Sequence, residues 1–270
     1  TSGIAFHPDM AKATRAVDGP PAQLLLKLAR EGNAVVGGSF LAWRDGNAYN
    51  TFVLALPDGR TLRHDKDYPT LWENCYYVGG KDDGVLPTPN GNVGVALCWE
   101  FVRSGTARRL KDRVNLVVGG AGWWTLSDAR PADDPYRKLN LDILKAAPGR
   151  LARMLGVPVI HASHAGRFEG LAWPGEAVAY SSHYLGETQI VDGRGQMLAR
   201  MSYEDGEGVV TADITLGVTL GEPMGIPDNF WMAEYPDSTK SRWEATLKSG
   251  HEYYLSATLP YLKDRFSRGG

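Results

Sequence analysis

Cys98 is the residue whose type and setting most suggest chemistry. It closes the apolar run "GNVGVALC", and "FVRSGTARRL", shortly after it, has helical character. A cysteine where a strand meets a helix stands at the carboxyl end of a sheet, the place where α/β proteins bind ligands. The start of a helix also favours the thiolate, which is the nucleophilic form. The same position equally suits a small buried hydrophobe, a common environment for free cysteine. Cys75, in the aromatic stretch "WENCYYVGG", has no comparable context and reads as structural.

Other side chains offer partners. Lys66 lies in "HDKDYP" and Glu73 in "WENCYY". Read alone, Asp65-Lys66-Asp67 is an exposed charged turn, because lysine is almost never fully buried. Glu73 read alone is a surface ion-pairing residue. Trp99, Trp123 and Trp124 either fill a core or wall a substrate pocket, since both use the same residue types. Glu100 either touches substrate or pairs with Arg103 or Lys66. His161 and His164, in "IHASHAG", invite a Cys–His reading, and their spacing resembles a metal pair. With no third ligand nearby, a zinc site is not expected, and the two are placed at a pocket rim or in the core. No metal and no cofactor is expected.

These residues must be held by folded elements. "GPPAQLLLKLARE" predicts a helix over 20–31, with prolines at its start and a left-handed cap at Gly32. "NAVVGGSF" reads as a short buried strand. "YNTFVLAL" and "RTLRHDK" flank a turn at Pro57-Asp58-Gly59 and predict a hairpin. "GNVGVALCWE", "VNLVVGG" and "VPVIHAS" read as strands. Residues 133–155 carry a helical pattern that Pro148 should kink or break. Two strands flank "DGRG" at Asp192 to Gly195, and "GEGVVTADI" predicts one more. The alternation is that of a mixed α/β domain running to about residue 216. Beyond it, Pro223, Pro227, Pro236 and Pro260 mix with Trp231, Trp243, Tyr253, Tyr254 and Tyr261. Such an aromatic tail, 217–270, is expected to wrap the domain or a partner subunit.

Composition narrows the function classes. The 270 residues suit one large domain or two small ones. With 43% hydrophobic and 22% charged residues, disorder and coiled coil are excluded as readings. A net charge of −2 gives no reason to expect nucleic acid or an anionic membrane as partner. No apolar run reaches the ~18 residues of a membrane span. Two cysteines make no disulfide scaffold and suit a reducing compartment, so a cytoplasmic location is expected.

The strand ending in "CWE", the basic helix after it and "VNLVVGG" together resemble the carbon–nitrogen hydrolase (nitrilase) superfamily. "YNTFVLALPDGRTLRHDKDYPTLWE" looks like that family's hairpin leading to its lysine. "YLGETQIVDGRGQMLARM" and "GEGVVTADI" look like its later strands. The resemblance runs in order over about residues 20–215 and implies a single α-β-β-α sandwich with two mixed sheets flanked by helices. It implies Cys98 as nucleophile, Lys66 as the cation that stabilises the tetrahedral intermediate, and Glu73 as a second glutamate positioning substrate and lysine. Trp99, Glu100, Trp123 and Trp124 are then the expected substrate-binding residues. The implied reaction is hydrolysis of a non-peptide C–N bond in a small amide, carbamoyl compound or nitrile through a thioester, with an acyltransferase as a close variant. A homodimer paired through a helical face is implied as well.

The family's first glutamate, its general base, has no counterpart. "TSGIAFHPDMAKATRAVD" contains no glutamate, and Pro8-Asp9 is the nearest imitation. The expectation is that Thr1 begins just past that glutamate, with an opening strand, helix and second strand missing. The alternative is a catalytically impaired relative that binds or regulates without turnover.

Overall fold

Along the chain the elements run β1 (Arg15–Ala16), α1 (Pro20–Gly32), β2 (Val36–Arg44), β3 (Asn47–Ala55), β4 (Thr61–Asp65), β5 (Val85–Thr88), β6 (Gly91–Leu97), α2 (Ser104–Leu110), β7 (Leu116–Ala121), α3 (Pro135–Leu155), β8 (Val159–Ser163), β9 (Arg167–Leu171), β10 (Ala179–His183), β11 (Thr188–Val191), β12 (Met197–Met201), α4 (Asp237–Tyr253) and α5 (Leu259–Ser267). Short 3-10 turns at Pro8–Ala13, Leu71–Cys75 and Cys98–Val102 and a π turn at Tyr254–Thr258 complete the set. The structure, a computed structural model, describes residues 6–174, 177–218, 224–228 and 237–268. Thr1, Pro223, Trp231 and Pro236 lie outside the described residues, and Trp243 falls within α4.

The chain divides into two compact units. The first comprises Thr1–Asp82, Gly170–Ala179 and Tyr235–Gly270, and the second Asp83–Glu169 and Tyr180–Glu234. The first unit holds the sheet β1-β2-β3-β4, with one parallel and two antiparallel ladders. The second holds β12-β11-β8-β7-β6-β5, whose central β6-β7-β8 ladders are parallel and whose flanks are antiparallel. β9 and β10 pair as a separate ribbon.

Several local expectations are corrected. Helix α1 is capped at Asn33 (φ 45°), one residue beyond Gly32. Asparagine tolerates the left-handed region well enough to take the role usually left to glycine. The strand at "NAVVGGSF" is longer and only half buried. It spans nine residues and pairs with β3 through the two-residue turn Asp45-Gly46, with φ of 51° and 76°, a backbone suited to strand twist. The hairpin at Pro57-Asp58-Gly59 forms as expected, with Gly59 at φ 93°.

Pro148 does not break α3, which runs through it. Leu144, Ala147, Leu151, Ala152 and Leu155 are buried along the same helix, and that apolar burial outweighs the ~3 kcal/mol a helix-interior proline costs. "GEGVVTADI" forms no strand: residues 206–214 are irregular, and Val209 is 89% exposed. Its alternating pattern is unused because a strand needs a partner edge as well as a pattern.

Of the described tail residues, 237–268 belong to the first unit, whereas Gly217 N and Met224 N donate to Asn115 O and Arg153 O in the second. Tyr254 and Leu262 are buried beside Leu41, Ala48, Cys75, Tyr76 and Tyr77. The Tyr254 hydroxyl accepts from Ala48 N at 3.1 Å, and the Thr258 hydroxyl donates to the Cys75 carbonyl at 2.6 Å.

β7 passes unusually close to its neighbours. A Cβ on Gly119 would lie 1.7 Å from the Ala96 carbonyl oxygen, and one on Gly120 would lie 2.3 Å from that of Ala162. Backbone cannot yield as a flexible side chain can, so Gly119→Ala is expected to cost about 3 kcal/mol or more. A denaturant midpoint close to the wild-type value would contradict this.

Candidate active site

In the first unit, the ladder continues one residue past β4. Lys66 N donates to Asn50 O at 2.9 Å, and Gly80 N to Lys66 O at 2.8 Å. This carries the Lys66 side chain inward, where both it and Glu73 are 0% exposed. The exposed-turn and surface-pair alternatives therefore do not hold. Glu73 sits in the 3-10 turn Leu71–Cys75, which a capping box with Thr70 fixes. Glu73 Oε2 accepts from Thr70 N at 2.6 Å, from the Tyr77 hydroxyl at 2.5 Å and from Lys66 Nζ. Lys66 Nζ also donates to Thr70 Oγ1 at 3.0 Å. Among the described residues, Glu73 Oε1 is buried without a hydrogen-bond partner.

The β4 end is anchored on its own account. Asp65 accepts from the Thr51 hydroxyl at 2.5 Å and from Arg44 at 2.6 Å. Cys75 is fully buried, and that burial pushes its thiol up to about 12, consistent with a structural cysteine. Asp9, the imitation of a base, is 57% exposed and held by Lys12 at 2.7 Å.

In the second unit, β6 ends at Leu97, one residue before the apolar run closes and three before the end of the strand expected over "GNVGVALCWE". Cys98 follows with φ 53°, in the left-handed region, and is 2% exposed. A non-glycine residue there is strained by about 1–2 kcal/mol. The helix expected shortly after it starts only at Ser104, because a 3-10 turn occupies Cys98–Val102. Glu100 has both oxygens engaged: Oε2 accepts from Leu97 N at 2.8 Å, and Oε1 from Arg109 at 3.0 Å. The carboxylate thus ties the strand end to α2. Arg109 was not singled out from the sequence.

Trp99 and Trp123 stack, with ring centroids 5.5 Å apart. Asn140 on α3 links Trp123 and Trp124, accepting from Trp123 Nε1 and donating to Trp124 O, both at 2.7 Å. Trp99 and Trp123 are buried and Trp124 half buried. His164 stacks on Tyr184 at 5.0 Å and is partly buried. His161 is fully buried, packs edge-on against Phe101 and shares a hydrogen bond with the Glu187 carbonyl at 3.1 Å. Among the described residues no group of three or more metal-ligating side chains occurs, and no helix is long and apolar enough to cross a membrane.

Burial lowers His161 to about 4. The unfolded ring titrates near ~6.5, so between these values the unfolded chain binds the extra proton. The stability is intact above ~6.5 and is lost as pH falls toward 4, by about 2 kcal/mol at pH 5. His161→Gln, which cannot titrate, is expected to show a correspondingly smaller loss between pH 7 and pH 5 in parallel urea titrations. Equal losses would refute it.

The sequence pattern of the carbon–nitrogen hydrolase family matches residues 2–220. The chain belongs to that family. It is 37% identical to Arabidopsis thaliana nitrilase 3 over 91 residues, covering 31% of this chain and 25% of the relative. It is 27% identical to nitrilase 1 of the same plant over 210 residues, covering 74% and 57%. The chain thus spans from a quarter to somewhat over half of these relatives. Among solved structures, a carbon–nitrogen hydrolase from Helicobacter pylori G27 aligns with TM-score 0.58 at 20% identity, covering 73% of this chain and 71% of that one. An amidase from Nesterenkonia sp. AN1 aligns with TM-score 0.53 at 16% identity, covering 73% and 69%. That structure is a glutamate-to-leucine variant with the acetamide moiety of fluoroacetamide added covalently at its active-site cysteine. These likenesses show the fold, a mixed α/β fold with two mixed sheets and helices.

Proposed function

We propose that the protein is a cysteine hydrolase of a small amide, carbamoyl compound or nitrile. Cys98 is the nucleophile, Lys66 meets the developing negative charge, and Glu73 holds Lys66 and the substrate. The Cys98 sulfur attacks the substrate carbon, the electron pair moves to oxygen or nitrogen, and a tetrahedral or thioimidate species forms. For an amide, the proton given up by the Cys98 thiol ends on nitrogen, ammonia or an amine leaves, and water cleaves the resulting thioester to the acid and the free thiol. For a nitrile, the thioimidate first takes up one water and loses ammonia to reach the same thioester. The observation that carries this reading is the fully buried cluster of Lys66, Glu73 and Thr70 on one short turn. Buried ionic groups are costly to keep, which favours a functional role for the cluster. The strained backbone at Cys98 supports it from the second unit. Trp99, Trp123 and Trp124 are proposed to contact the acyl part of the substrate, and Glu100 to act through the Cys98 turn.

Intact-mass measurement tests the proposal. The protein is incubated with fluoroacetamide and with a panel of amides and nitriles, then quenched in acid. One acetamide moiety added in the wild type and absent from Cys98→Ala is the expected result. Binding of amides with neither adduct nor acid product would replace hydrolysis with a binding-only role.

A further inference from the structure

We infer that Tyr77 is a positioning residue, which turns the Glu73 carboxylate so that one oxygen is spent on the protein and the other is left over. The inference rests on the proposed hydrolase reading but concerns a residue to which that reading gives no role.

The geometry comes from the 3-10 turn. Tyr77 lies four residues after Glu73, and its backbone N donates to Glu73 O at 3.3 Å, so the chain curls back on itself. The ring is buried in the core of the first unit, beside Tyr76 and Cys75. Its hydroxyl donates to Glu73 Oε2 at 2.5 Å, the oxygen that also takes Thr70 N and Lys66 Nζ. A carboxylate oxygen has about two lone-pair directions, so three donors crowd Oε2 beyond that number. Glu73 Oε1, on the same rigid group, is buried with no partner among the described residues. Leaving an acceptor unsatisfied is costly, and a freely turning carboxylate would share its donors between both oxygens. Lys66 and Thr70 are joined to each other. The tyrosine, coming from the i+4 side, is the donor that closes the set and pins the rotation.

The chemical consequence is directional. With Oε2 consumed, Oε1 is the face Glu73 can offer a substrate N–H, and the Lys66 ammonium is held in one place on its turn by Glu73 and Thr70. Loss of the hydroxyl leaves the volume intact but lets the carboxylate rotate toward Lys66. That should mis-set the group in the transition state more than in the bound substrate.

Tyr77→Phe tests this, because the ring and its packing are kept. The expected result is a fall in kcat of about 10–100-fold, as for loss of a hydrogen bond to a charged group, with KM within about threefold and a melting temperature within about 5 °C of the wild type. Unchanged kcat overturns the inference, and so does a loss confined to the melting temperature. Crystal structures of the wild type and Tyr77→Phe give a reading that needs no turnover. A Glu73 carboxylate rotated or split between two orientations in the variant supports the inference, and one left in place overturns it. If the wild type hydrolyses no amide or nitrile, the hydrolase reading fails, and these two structures alone decide the role of Tyr77.

Discussion

Cys98→Ala is expected to abolish the covalent adduct and to lower hydrolysis of any productive amide or nitrile by roughly 10⁴–10⁶-fold, the scale seen when an enzyme loses its nucleophile. Backbone strain adds a second readout that activity alone cannot give. Cys98 has φ 53°, a region in which any Cβ is crowded and glycine is not. Cys98→Gly is therefore expected to be inactive yet more stable than Cys98→Ala by about 1 kcal/mol, the reverse of the usual order of glycine and alanine. Should Ala prove the more stable of the two in urea unfolding, the turn would not be strained and its link to function would fall.

Lys66→Met is expected to do double damage. Lys66 and Glu73 are both fully buried, and removing one member of such a pair strands the other. The cost is about 3–5 kcal/mol, far above that of a surface ion pair. The Thr70 amide and the Tyr77 hydroxyl remain on Glu73, but neither carries a compensating charge. Adding Glu73→Gln should recover much of the lost stability, because no buried carboxylate is then left unpaired. Activity should fall by about 10²–10³-fold in Lys66→Met, as for loss of a donor to a developing oxyanion, and the double variant should not regain it. Stability restored without activity would separate the two roles of the lysine. A double variant as unstable as the single one would mean that the pair does not act as a unit.

Much of this architecture was legible in the residue order. The prolines at 20 and 21 place the start of α1, Pro57-Asp58-Gly59 places a hairpin, and the apolar run to Cys98 places the end of β6 to within one residue. Each is a local signal with a local cause. What was not legible depends on distant partners. Val209 and its neighbours carry a strand pattern, but no sheet edge takes them up. Pro148 should interrupt a helix considered alone, yet the buried stripe around it decides otherwise. Lys66 looks like a surface charge between two aspartates, because nothing local shows that Asp65 is spent on Thr51 and Arg44 and that the lysine turns inward. The Thr70–Glu73 capping spacing was readable and would have pointed to the turn that joins the cluster. Nothing in "CYYVGG" distinguishes Tyr77 from Tyr76, whose hydroxyl instead accepts from His7 N at 2.7 Å.

The order in which the chain leaves the ribosome bears on when the lysine cluster can mature. Its supporting turn ends at Cys75, and the hydroxyl that caps that turn's carbonyl belongs to Thr258, 183 residues later. At ordinary rates of synthesis that separation is about 10–40 s. During this interval a nascent chain can assemble β2, β3 and β4, whose pairings are local. Tyr254, Thr258 and Leu262 must still be made before the aromatic face around Cys75 is covered. Until then Cys75, Tyr76 and Tyr77 are open to chaperones, and chains stalled shortly before Tyr254 would carry the lysine and its glutamate without the buttress that seats them.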